Sequence, residues 1–188
     1  MLIQLITNHP EALGPIVRNT PTWVFGLFAA LLALGLSQVR TREVSAVRMA
    51  LVPVIMAGLS LWGIVSAFSA SPLFGYVLLA WAAGTALMLG LLAPRSAPEG
   101  TRYDAANRSF RMPGSVVPLL LILGIFFTKY VVGVELAMQP SLAHDGQYTL
   151  IVGALYGLFS GTFAGRAARL WRLALRPSGA PAAPAFNA

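Results

Sequence analysis

Residues 153–165 read Gly-Ala-Leu-Tyr-Gly-Leu-Phe-Ser-Gly-Thr-Phe-Ala-Gly, so glycine returns every fourth residue inside an apolar run. On a helix such residues lie nearly above one another. In water each glycine costs a helix about 1 kcal/mol against alanine. In lipid the backbone finds no water, and a helix is close to obligatory. Gly153, Gly157, Gly161 and Gly165 then form a smooth row, a glycine zipper, against which another backbone can approach closely. The row turns about 40° per step and favours a right-handed crossing. Packing within the chain is the first reading, and contact with a second copy is the alternative.

Composition sets the same class. Of 188 residues, 57% are hydrophobic and 10% charged, with mean hydropathy +0.73. Soluble domains carry about 25% charged residues. The net charge of +7 comes from arginines clustered beside apolar runs, as membrane topology requires, which argues against nucleic acid as a partner. There are no cysteines, which excludes disulfides and thiolate metal sites.

The expected fold is all-α and integral to the membrane, with five transmembrane helices and a short outer N-terminal interfacial helix. Residues 1–19 are interrupted by Pro10 and Pro15 and read as the interfacial segment. Residues 20–172 form the membrane domain, with spans about 21–39, 49–68, 73–93, 116–138 and 148–171. Thr20 reads as the N-cap of the first span, with Pro21 at its first position. Pro53 falls near the first turn of the second, where proline does least harm. Residues 94–115 are the one long polar segment, suited to a small hairpin or an ordered loop at the membrane surface. Residues 173–188 read as a disordered Pro/Ala-rich tail.

Arginines set the orientation. Arg40, Arg42 and Arg48 follow the first span, Arg95 the third, and Arg166, Arg169 and Arg172 close the fifth. The segments after spans two and four carry almost no charge. Basic segments stay in the cytoplasm. The expectation is a multi-pass protein of the bacterial inner membrane, N-terminus outside and C-terminus cytoplasmic, with Arg18 the one charge on the wrong side. The arginines serve first as topology determinants and headgroup anchors; the alternative for Arg40, Arg42, Arg48, Arg95, Arg102, Arg108 and Arg111 is a specific anionic ligand, with Tyr103, Phe110 and Met112 as apolar anchors.

Lys129 is the only lysine and lies within the fourth span. It is about 20 Å from Val116 and about 13 Å from Met138 along a helix. A central lysine costs about 2.5–3.5 kcal/mol. Glu135, six residues on, lies on a different face, so a direct pair is not at the favoured spacing. Tyr130, Tyr76, Tyr148 and Ser66 are other partners within reach. Three readings stand open for Lys129: a paired structural charge, a functional site, or an ammonium that snorkels to the surface. His9 and His144 both lie outside the spans, too few for a metal site.

The order of landmarks carries a resemblance. It runs Thr20-Pro21-Thr22-Trp23-Val24, Gln38-Val39-Arg40-Thr41-Arg42, Tyr103-Asp104, Met112-Pro113-Gly114-Ser115, Phe127-Thr128-Lys129-Tyr130, Tyr156-Gly157, and Gly161-Thr162-Phe163-Ala164-Gly165-Arg166. The chain resembles, over most of residues 20–172, a family of small proteobacterial inner-membrane proteins known only as a domain of unknown function. More faintly it is similar to CcdC-like membrane proteins, named for association with cytochrome c biogenesis. Neither resemblance supplies a catalytic motif.

No phosphate loop, nucleophile–base pair or zinc motif occurs. The leading expectation is therefore a non-enzymatic accessory or assembly protein, without cofactor or catalytic residue. Its partners are then the lipid bilayer, another membrane protein or a second copy of itself. A small transporter or channel using Lys129 and Glu135 is the alternative. Its path would share Ser60, Ser66, Tyr76, Thr128 and Tyr156. A membrane enzyme acting on a lipid or quinone is the third.

Overall fold

The computed structural model describes Gly14 and residues 18–175. The expected interfacial helix, His9, Glu11, Arg176 and most of the Pro/Ala-rich tail lie outside the described residues. The elements are α1 (Thr22–Ser37), β1 (Arg42–Ser45), α2 (Ala46–Phe68), α3 (Phe74–Leu92), β2 (Arg102–Asp104), β3 (Ser109–Met112), α4 (Val117–Met138), a 3-10 turn (Pro140–His144) and α5 (Gly146–Ala174). Four of these helices, α2 to α5, are long and apolar enough to cross a membrane, and α1 is a shorter apolar helix of 16 residues. Trp62 (73% exposed), Val54 (68%) and Leu79 (67%) stand on the outside, as a bilayer solvent permits and water does not.

The glycine row faces α3. A methyl group on Gly153 would come 2.7 Å from the Val77 carbonyl oxygen, and one on Gly165 2.7 Å from Leu92 Cβ. On Gly157 and Gly161 it would collide with the carbonyl oxygens of Trp81 and Thr85. Gly84 of α3 answers from the other side, beneath the Ala154 carbonyl. The two backbones are close enough for Thr85 Oγ1 to donate to the Gly157 carbonyl at 3.2 Å. This is the most extensive helix pair in the molecule, and α2 packs on another side of α5. Ile64, Phe68, Val77, Val132, Val152 and Tyr156 form the core where these helices and α4 meet.

Two local expectations change. Thr20 does not occupy the cap of α1. Pro21 does, and the Thr20 hydroxyl meets the Tyr130 hydroxyl at 2.7 Å. Pro53 is not in a first turn. Ser45 Oγ accepts from the Arg48 amide at 3.3 Å and starts α2 at Ala46, three residues before the expected span. Pro53 therefore sits two turns in, where its missing N–H leaves the Met49 carbonyl without its helical donor.

The architecture is mainly helical, with a small sheet added. The polar segment folds as the hairpin β2–β3, whose turn is tied by Asp104. Its Oδ1 accepts from the Ala106 amide at 2.9 Å, and its Oδ2 from Asn107 Nδ2 at 2.7 Å. β1 adds a third strand, in order β1-β3-β2, antiparallel throughout, with Val44 opposite Phe110. Arg42-Glu43-Val44-Ser45 has one apolar residue and reads as a linker. It becomes a strand because β3 presents a free edge and Val44 can join Phe110, Met112 and Leu170 in a second core. α5 has 29 residues, about 43 Å, and outruns the roughly 30 Å hydrocarbon layer. Its last turns carry Leu170 and Trp171 onto the sheet.

Candidate functional site

α1 packs chiefly on α4, while α2 and α3 pack on α5, and α4 touches α5 only lightly. The two groups leave a cleft of about 780 Å³ between them. That is within the roughly 300–1,000 Å³ of ordinary ligand sites. Its walls are apolar: Leu27, Leu31 and Leu34 from α1, Val52, Met56 and Leu59 from α2, Leu121, Ile122 and Ile125 from α4, Phe159 and Phe163 from α5. Trp23 and Trp62 line it and remain exposed, so the cleft opens sideways.

α5 supplies its wall through a second stripe beside the glycine row. Tyr156, Ser160, Phe163, Ala167 and Leu170 recur at three- and four-residue spacing and so share a face. The glycine row turns one way to α3, and this stripe turns the other way to the cleft.

Charge in the cleft is of one sign. Arg42, Arg48, Lys129 and Arg166 line it, and no carboxylate does. At the end nearest the sheet, Arg42 Nη2 donates to Gln38 Oε1 at 2.7 Å. Burial, and then the nearby charge of Arg48, push the Arg42 guanidinium below its ordinary range. Arg166 lies close enough to Arg42 to feel its charge. Arg42, Arg48 and Arg166 thus line one cleft that holds no acid, and guanidinium groups are the donors suited to a carboxylate or phosphate.

Lys129 stands further along the same cleft. Its Nζ lies over the Tyr156 ring, 4.7 Å from the centroid. Gly63 makes room for it: a Cβ there would come 2.6 Å from Nζ and 3.2 Å from the Tyr156 ring. Among the described residues no carboxylate is in ion-pair range of Lys129. The side chain stays accessible through the cleft and is not packed dry. The neighbouring hydroxyls direct their hydrogens to a backbone carbonyl. Ser60 Oγ donates to the Tyr156 carbonyl at 3.3 Å and accepts from Trp81 Nε1 at 3.0 Å, and Ser160 Oγ donates to the same carbonyl at 3.0 Å.

The other expected groups separate. Glu135 is not among the residues lining the cleft; it lies beside Tyr148 at the start of α5. Of the polar groups assigned to a transport path, Ser60, Thr128 and Tyr156 line the cleft. Tyr76 and Ser66 do not, and Ser66 Oγ is spent on its own helix, donating to the Trp62 carbonyl at 2.7 Å. Arg40 is exposed, and Arg172 donates to the Ala93 carbonyl at 2.9 Å, tying α5 to the end of α3. Arg169 lies near Arg95, outside the cleft. His144 is exposed in the 3-10 turn. Among the described residues no group of three His, Cys, Asp or Glu could hold a metal.

Sequence reasoning read Arg42 and Arg48 first as anchors, with an anionic ligand as the alternative, read Arg166 as an anchor alone, and left Tyr156 out of the partners for Lys129. The stripe on α5 was the available signal for Tyr156. Nothing in the sequence brings Arg42 to Arg166, since β1 does that.

A model describing a family of unknown function (DUF6622) matches residues 1–183. No curated protein matches the chain, and no solved structure does. The match agrees with the unknown-function resemblance and does not extend to its proteobacterial or CcdC-like parts.

Proposed function

The chain belongs to the DUF6622 family of unknown function, and from its site we propose a non-enzymatic membrane protein that binds an anionic amphiphile drawn from the bilayer. The observation that carries this is the cleft: apolar walls, a lateral opening, three arginines and no carboxylate. The tail lies along α1 and α4, and the head meets Arg42, Arg48 and Arg166. About 780 Å³ suits one long chain with its head. The helices keep the shape and the sheet holds Arg42 in place, so the protein acts by holding its ligand, as an accessory protein would. The transporter reading draws on the same cleft but needs Glu135 on the path, and Glu135 lies elsewhere.

The compartment follows from charge. Arg40, Arg42, Arg48, Arg95, Arg102, Arg108, Arg111, Arg166, Arg169 and Arg172 gather at the sheet end, while Arg18, Glu135 and Asp145 stand at the other. The positive-inside rule puts the sheet in the cytoplasm of a bacterial inner membrane, with α1 as a fifth, short span and the N-terminus outside.

The test compares stearate with octadecanol, the same chain without the charge. Equilibrium binding to the detergent-solubilised full chain is measured for wild type and for Arg42→Gln/Arg166→Gln. Stearate is expected to weaken about tenfold or more in the double variant, the worth of one or two charge-assisted hydrogen bonds, with octadecanol unchanged. Equal weakening of both, or of neither, contradicts the head assignment.

A further inference from the structure

Lys129 poses a problem that the arginine site does not solve. An ammonium carries three donors. The Tyr156 ring, 4.7 Å from Nζ to its centroid, covers one side of it with its π face. Among the described residues none accepts a hydrogen bond from Nζ. What remains in front of Nζ is the cleft itself, kept open by the missing side chain of Gly63. In hydrocarbon, unspent donors on a charged group are costly, and an occupant that answers them is strongly favoured.

The position is specific. Tyr156 and Arg166 are ten residues apart on α5, about 15 Å along the helix. A chain anchored by its head at Arg166 therefore passes Lys129 well before its end. Resting on the cleft reading above, we propose that Lys129 donates to an oxygen carried partway along the ligand. The ligand class is then an anionic amphiphile oxygenated about 15 Å from its head, and not a plain hydrocarbon chain. Tyr156 orients the ammonium, and Gly63 gives the oxygen access to it.

The probes are stearate and the same acid bearing a ketone at its twelfth carbon, in equilibrium binding to the detergent-solubilised full chain. Wild type is expected to hold the ketone about fivefold tighter, the worth of one hydrogen bond. Lys129→Met is expected to erase that preference and leave stearate within about twofold of wild type. Gly63→Ala keeps the charge but crowds Nζ, and is expected to shrink the preference while sparing stearate. Equal wild-type affinities overturn the assignment, as does a ketone preference that survives in Lys129→Met. Those results leave stearate binding intact, so they differ from failure of the cleft reading, in which neither probe binds and both proposals fall.

Discussion

Gly157→Ala is expected to destabilise the protein by about 3 kcal/mol, the upper end of what overpacking a filled interface costs. The new methyl would collide with the Trp81 carbonyl oxygen and lie 2.9 Å from the carbonyl carbon and Cα of the same residue. All three atoms are backbone, so no rotamer can yield. α3 must move away from α5 along the seam, and Gly153, Gly161 and Gly165 lose their close contacts too. Lipid offers no hydrophobic gain between helices to offset this, because lipid tails are as apolar as the side chains. Gly90→Ala, on α3, is the control. Nothing lies within 4 Å of its added methyl, and it is expected to be neutral or to stabilise by up to about 1 kcal/mol through helix propensity. Thermal melts in nanodiscs compare the two. Equal effects would mean that the α3–α5 seam is not what holds the fold.

Lys129→Met is expected to raise stability by about 1–2 kcal/mol. Placing an ammonium within a span costs about 2.5–3.5 kcal/mol, and a cation–π contact returns about 0.5–2. Methionine fills similar volume and carries no charge to desolvate. A double-mutant cycle with Glu135→Gln is expected to show coupling below about 0.5 kcal/mol, as for residues without a shared partner. A melt lowered by Lys129→Met, or a larger coupling to Glu135, would return Lys129 to the role of a structural charge. A residue kept against stability is what a binding site requires.

Sequence and structure diverge where chain segments far apart must meet. The apolar runs are visible because lipid forces each to satisfy its own backbone, so hydropathy alone locates α2 to α5. The hairpin is legible in part, since Asp104 and Asn107 are turn residues that form their hydrogen bonds locally. β1 is not, because Val44 has no value as a strand residue until Phe110 lies opposite it. The same holds at the site. Lys129 stands out on sequence alone, as a lone charge in a span. Its ring partner Tyr156 comes from another helix, and it shares a cleft with Arg42 and Arg166 only because the α1–α4 pair stands off from α2 and α5. Glu135 is the instructive case: near in sequence and of the right sign, it faces another helix, because six residues are one and two-thirds turns.

The most direct measurement of the cleft uses stearate with a photoreactive diazirine near its chain end, irradiated with the protein in nanodiscs and mapped by mass spectrometry. With the head at the arginines, the chain end reaches the far end of the cleft. Adducts are expected on Trp23, Leu27, Phe126 and Tyr130, all of which line it, and excess unlabelled stearate is expected to remove them. Adducts spread equally over Leu79 and Leu87, exposed on α3, and insensitive to competition would mean that the protein only dissolves in the lipid and holds none of it.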